Sequence, residues 1–197
     1  MTIAWLTYKS KHLHAGDVVD TKLFLDLCED AGKCTSIADV KAFAVNYENS
    51  RIYADVVSGN GFFEISFVTN LEGFYTIAAE GEKCGTRFFA KTALSVGHGP
   101  RDYNQTTDFE LDLTPLRVGR YYSGETISLA VLHNGIPLAG VDVKATIIGA
   151  DAECSAVTND EGVAAIEITT KGDWVFYTTT EIDGKKLVSS FSIMGIH

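Results

Sequence analysis

Asp39-Val40-Lys41-Ala42 and Asp142-Val143-Lys144-Ala145 spell the same four residues about a hundred positions apart, and what surrounds them returns in the same order. Gly16-Asp17 is answered by Gly124-Glu125, Gly61 by Gly162, and Gly73-Phe74-Tyr75 by Gly172-Asp173-Trp174. A repeat of this size means one small unit present twice. The 197 residues hold two such units, each near the size at which a β-sandwich buries a workable core.

Outward from these quartets, nearly every segment alternates. Val19, Thr21, Leu23 and Leu25 are interleaved with Asp20 and Lys22, and their counterparts Ile127, Leu129 and Val131 with Ser128 and Ala130. Phe63, Ile65 and Phe67 alternate with Glu64 and Ser66, as Ala164, Ile166 and Ile168 do with Ala165 and Glu167. Successive strand side chains point to opposite faces, so these are half-buried strands of antiparallel sheets. Asn134-Gly135, Asn159-Asp160-Glu161-Gly162 and Asp183-Gly184 are turn signals at the spacing of a sandwich. No segment keeps a helical period for three turns. The expected fold is all-β: two tandem immunoglobulin-like or transthyretin-like β-sandwiches of about seven short strands each. Residues 1–115 form the first, with inserted loops, and 116–197 the second. The boundary falls near Thr114-Pro115, because proline cannot donate to a ladder. Tyr75 and Trp174 are the expected inward anchors of the two cores. The Cys…Trp…Cys pattern of antibody domains is absent.

With 46% hydrophobic residues the chain is globular. A net charge of −10 argues against nucleic acid and against an anionic membrane surface, both of which reward Lys/Arg clusters. No apolar run approaches the roughly 20 residues that span a bilayer. Ile3-Ala4-Trp5-Leu6 is too short for the apolar region of a signal peptide, so Met1 is read as a genuine start or as one that replaces a removed leader. Cys28 and Cys34 flank a polar turn short enough for a local disulfide; a reduced pair and half of a thiolate metal site are the other readings. Cys84 and Cys154 read as small buried hydrophobes in strands.

The second copy carries His133-Asn134-Gly135-Ile136-Pro137-Leu138-Ala139-Gly140-Val141-Asp142-Val143, then Thr158-Asn159-Asp160-Glu161-Gly162 and Gly172-Asp173-Trp174. This string resembles bacterial extracytoplasmic Ig-like and carboxypeptidase-regulatory-like modules. Arg87-Phe88-Phe89-Ala90-Lys91-Thr92 in the first copy resembles a strand of a narrower group, the two-domain periplasmic Ig-like proteins associated with nickel or cobalt uptake. The resemblance covers about two thirds of the chain and rests mostly on turns and core. It implies a periplasmic or extracellular location, a cargo of Ni²⁺ or another divalent transition metal ion, and a membrane transporter component as partner. The opening Thr2-Ile3-Ala4-Trp5-Leu6 departs from the His-aromatic opening of that group, so nothing there takes over the role of its N-terminal histidine.

His12-Leu13-His14 is the best metal candidate in the residues themselves. Histidines at i and i+2 of an extended segment point to one face and share an ion such as Ni²⁺, Cu²⁺ or Zn²⁺. A third ligand is sought in His98, in Asp17 or in the acidic loops. The competing reading is a solvated loop, with Lys9 and Lys11 repelling a cation. His98 stands in Gly97-His98-Gly99-Pro100, a tail the second copy lacks; it is an exposed functional side chain or part of a connector. Asp108, Glu110 and Asp112 alternate with Phe109, Leu111 and Leu113. They read as a Ca²⁺ site at the junction or as a charged solvent face protecting an edge strand. Asn159-Asp160-Glu161 reads as a turn. No nucleophile elbow, zinc-protease helix or phosphate loop occurs. The expectation is a non-catalytic extracytoplasmic binding protein, an accessory of nickel or cobalt uptake, whose site belongs to the first copy. A protein- or glycan-binding module of a cell-surface assembly is the alternative, and a hydrolase with an interdomain site the third reading.

Overall fold

In the computed structural model, residues 3–9, 12–26, 39–100, 107–150 and 153–197 are described. The first copy forms β1 (Ile3–Tyr8), β2 (Val18–Asp26), β3 (Lys41–Asn46), β4 (Arg51–Tyr53), β5 (Asp55–Ser58), β6 (Phe63–Val68), β7 (Gly73–Lys83) and β8 (Thr86–Val96). The second forms β9 (Leu111–Pro115), β10 (Thr126–His133), β11 (Ile136–Pro137), β12 (Asp142–Ile147), β13 (Glu153–Val157), β14 (Val163–Glu167), β15 (Gly172–Ile182) and β16 (Lys185–Ile196). The all-β expectation holds: the described residues contain strands and turns and no helix.

Pairing repeats with the sequence. β1-β2-β6-β5 form one small sheet, and β10 with β9, β11 and β14 forms another. β4-β3-β7-β8 and β13-β12-β15-β16 are the two equivalent halves of an eight-stranded sheet. Gly73 and Gly172 open equivalent strands with φ of 137° and 138°. Asn134 and Gly135 both have positive φ, at 50° and 78°, and form the two-residue turn between His133 and Ile136. β9 lies before the 115/116 boundary, yet it hydrogen-bonds to β10 from Leu129↔Pro115 to His133↔Leu111. By pairing, it belongs with the second copy's sheet.

The halves meet through β8 and β16, which pair in parallel from Thr86↔Lys186 to Thr92↔Ser192. Equivalent strands paired in parallel are related by a half-turn about an axis along the strands, and such a rotation exchanges the faces of the sheet. The small sheets therefore cover opposite faces. Phe88, Ala90, Leu94 and Val96 of β8 enter the first core with Val188 of β16. Phe89 of the same strand enters the second core with Leu187 and Phe191. Each fully buried phenylalanine contributes about 1.5–3 kcal/mol. Small residues let strands approach β16 from both sides: Ser190 Oγ donates to Ala4 O, and Leu113 N donates to Ser189 Oγ (3.0 Å). The anchors are as expected, with Tyr75 at 0% and Trp174 at 2% exposure. Each polar tip reaches four residues back, Tyr75 Oη to Leu71 O (2.9 Å) and Trp174 Nε1 to Thr170 O (2.9 Å).

Two expectations need correction. Asp108, Glu110 and Asp112 do not form one solvent face or a cluster of three acids: Asp108 is exposed, whereas Glu110 and Asp112 are half-buried. They pair with cations of the first copy: Asp108 with Arg51 (3.3 Å), Glu110 with Arg87, and Asp112 with Lys91. Cys84 is not a buried strand residue. It sits exposed at the tip of the β7–β8 hairpin, with φ 54° beside Gly85 at 71°, and it is disulfide-bonded. Cys154 is a half-buried free thiol, whose pKa is raised by burial and then by Glu153. Cys28 and Cys34, with the local bridge expected between them, lie outside the described residues. Asn159 forms the expected turn, its Oδ1 accepting from Glu161 N (3.0 Å) and Val163 N (2.9 Å).

Candidate functional site

The connection from β1 to β2 is extended at His12–His14. Leu13 turns into the first core with 8% exposure, while His12 and His14 face solvent, so the alternation read from sequence is present. The segment is pinned on both sides. Gly97 N donates to Leu13 O (2.7 Å), and Gly16 N to Thr69 O (2.8 Å). The hydroxyl of Thr69, a residue only 1% exposed, donates to His14 O (2.9 Å). Asp17 Oδ2 accepts from His14 N (2.8 Å); the carboxylate is thereby committed to the turn.

Gly97-His98-Gly99 runs past this segment because Glu72 fits between. Glu72 Oε2 accepts from His98 N (3.1 Å), and Oε1 lies 3.4 Å from His14 Nδ1. A Cβ on Gly97 would stand 2.3 Å from Glu72 Cδ, and one on Gly99 2.1 Å from Glu72 O. Only glycine allows that approach. The His98 N–H, and then the His14 side chain, hold the Glu72 carboxyl below its ordinary range.

The three histidines named from sequence come together. The ring of His12 lies 4.8 Å from that of His14 and 6.1 Å from that of His98, centroid to centroid. Imidazoles around one tetrahedral ion have centroids roughly 5 Å apart, given metal–nitrogen bonds near 2 Å. No three His, Cys, Asp or Glu side chains among the described residues stand as a ligand set. Imidazole nitrogens with a carboxylate oxygen suit Ni²⁺, Co²⁺, Zn²⁺ and Cu²⁺. Glu72 was missed from sequence. Its signal is a difference between the copies, since Lys171 stands at the equivalent place before Gly172.

Two concavities flank Tyr8. One of about 640 Å³ lies between the copies and has His12 in its wall. The other, about 790 Å³, runs along the outer face of β1 and β2 past Trp5 and Phe24, whose rings stack at 5.3 Å. Burial, with the charge of Asp173 adding to it, pushes Tyr8 up to about 12. Its phenol stays protonated and donates to Ala93 O (3.1 Å).

No curated protein matches the chain. Among solved structures it is similar to a tetra-tandem repeat from the extending region of a large adhesion protein, with 11% identity and a TM-score of 0.36, covering 100% of this chain and 50% of that one. It is also similar to a DUF4785 family protein from Legionella pneumophila, with 12% identity and a TM-score of 0.36, covering 91% of this chain and 51% of that one. The chain thus spans about half the length of each. Among the described residues no helix is long and apolar enough to cross a membrane. Residues 30–182 match the family described as "Domain of unknown function (DUF4198)", and the chain belongs to that family.

Proposed function

We propose that this protein is a non-catalytic, extracytoplasmic metal-ion-binding protein built from two fused immunoglobulin-like sandwiches. It takes up a divalent transition metal ion as cargo and serves a membrane transporter of nickel or cobalt. The observation that carries this reading is that His98, distant in sequence, lies beside His12 and His14, with the Glu72 carboxylate accepting from the His98 backbone N–H and 3.4 Å from His14 Nδ1. A solvated connector has no use for Glu72 wedged against two glycines. The disulfide at Cys84 supports an oxidising compartment.

Calorimetric titration of metal-free protein with Ni²⁺, Co²⁺, Zn²⁺ and Ca²⁺ tests the reading. It predicts a Kd below about 100 μM for a transition metal ion and none for Ca²⁺, which prefers oxygen ligands. Retained affinity after His12→Ala with His14→Ala, or no affinity at all, overturns it.

A second reading, a protein- or glycan-binding module of a surface assembly, draws support from two exposed edges. β4 ends the eight-stranded sheet and β5 ends the first small one, with Tyr53 80% and Val57 59% exposed on them. Unpaired edges accept an added strand. This reading predicts no transition-metal affinity.

A further inference from the structure

β5 (Asp55–Ser58) ends the first small sheet, which runs β1-β2-β6-β5, and among the described residues no strand pairs with its outer side. The neighbouring hydrogen bonds fix which of its backbone groups are free. In an antiparallel pair, alternate residues spend both N–H and C=O on one neighbour. Gly59 N donates to Phe62 O (2.8 Å), two residues beyond the Val57↔Glu64 pair. Val57 and Asp55 therefore bond to β6. On the far side of β6, Thr69 N donates to Asp17 O (3.0 Å). Odd-numbered residues of β6 thus face β2 and even-numbered ones face β5, which gives the same phase. The N–H and C=O of Val56 and Ser58 are left pointing out of the sheet edge. The Val56 side chain packs against the first core, while Val57 stands on the opposite face with 59% exposure. A lysine, a proline or a bulge commonly protects such an edge, and β5 has none of them.

We propose that β5 is a self-association edge, at which two molecules of this chain pair antiparallel about a twofold axis through Val57. Two constraints set that register. Residues directly opposite one another share a face, which puts the axis through a residue and not between two. The free groups belong to Val56 and Ser58, so the residue on the axis is Val57. Val56 of each molecule then exchanges both N–H···O bonds with Ser58 of the other. Val57 meets its own counterpart at the closely spaced position, where Cα atoms are about 4.5 Å apart, and both valines leave water. Asp55 falls opposite Gly59, so no like charges oppose each other. A foreign strand would also fill the edge bonds. The chain itself is favoured because its own register sets valine on valine and the one charge of β5 against a residue without a side chain. The same device already works inside the molecule, where β8 and β16 join two halves edge to edge. An edge of four residues buries little surface, so the dimer belongs to the weak, reversible class. No histidine takes part in it, and it forms with or without a metal ion.

Sedimentation velocity of the full chain, from about 5 μM to about 1 mM, reads the association. A monomer–dimer equilibrium with a Kd on the order of 100 μM is expected. Val57→Lys sets two ammonium groups against each other on the axis and should weaken the dimer at least about tenfold; circular dichroism checks that the variant is folded. Val57→Cys gives a second readout, because paired Cα atoms about 4.5 Å apart lie within disulfide reach. Oxidised glutathione should turn this variant into a covalent dimer on a non-reducing gel. Val18→Cys, on β2 of the same sheet and similarly exposed at 54%, should not cross-link. A chain that stays monomeric at about 1 mM overturns the proposal. So does a dimer that Val57→Lys leaves intact, or cross-linking of Val18→Cys as readily as of Val57→Cys.

Discussion

Gly97, with φ 55°, places the His98 N–H on a carboxylate 26 residues away in sequence. Gly97→Ala adds a methyl 2.3 Å from Glu72 Cδ at a backbone angle that side chains avoid, so Glu72 must leave. Ni²⁺ affinity is expected to fall about tenfold or more in calorimetry, with a loss of stability of about 1–2 kcal/mol. The carboxyl of Glu72 is held low, which fixes the sign of its pH dependence. A depressed acid stabilises the folded form above its unfolded pKa, and that contribution is lost as pH falls through the lower, folded value. The His98 amide resonance, followed by NMR, should move with an acid-range titration that Glu72→Gln abolishes. At the residue scale the legible signals are local ones. The alternation of His12 and His14 around an apolar Leu13 is visible in three letters, and the glycines marked His98. Glu72 was not legible, because a carboxylate becomes a partner only once the chain has folded back on it. Cys84 was misread for a related reason: Cys-Gly inside a run of alternating residues reads as strand, whereas its φ is that of a hairpin tip.

At the scale of elements, the row leading into β9 shows alternation used on both sides. Phe109, Leu111 and Leu113 fill the second core, and the three carboxylates pair with Arg51, Arg87 and Lys91 of the first copy. The pattern predicted a face and missed what it meets, since β4 and β8 are distant in sequence. The side chain of Lys91 is 1% exposed and that of Asp112 15%, and Lys91 Nζ also donates to Thr114 Oγ1 (2.9 Å). Lys91→Met leaves an uncompensated carboxylate at the seam and should cost about 3–5 kcal/mol in urea unfolding. Combining it with Asp112→Leu should recover most of that loss, because an apolar pair of similar volume needs no desolvation. Asp108, 80% exposed at the far end of the row, should change stability by less than about 1 kcal/mol when replaced by alanine.

For the whole molecule, the parallel seam of β8 and β16 makes one unit of two copies. Both strands are covered on both faces, as parallel strands commonly are. Separate fragments 1–106 and 107–197 should each expose that surface and fail to give dispersed amide spectra, while the intact chain unfolds in one transition. The quartet repeat revealed two copies but not this seam. A strand that pairs outside its own copy has the same alternation as one that does not. The cleft that has His12 in its wall is lined by residues of both copies, which a reading of either copy alone does not show.

The central claim is that His12, His14, His98 and Glu72 hold one metal ion. Anomalous diffraction at the nickel edge, from crystals of the protein loaded with Ni²⁺, locates that ion directly. The account predicts a single dominant peak within about 2.0–2.2 Å of nitrogen atoms of all three histidines. Nickel bound elsewhere, or density at the cluster with no more than one histidine turned toward it, would contradict it.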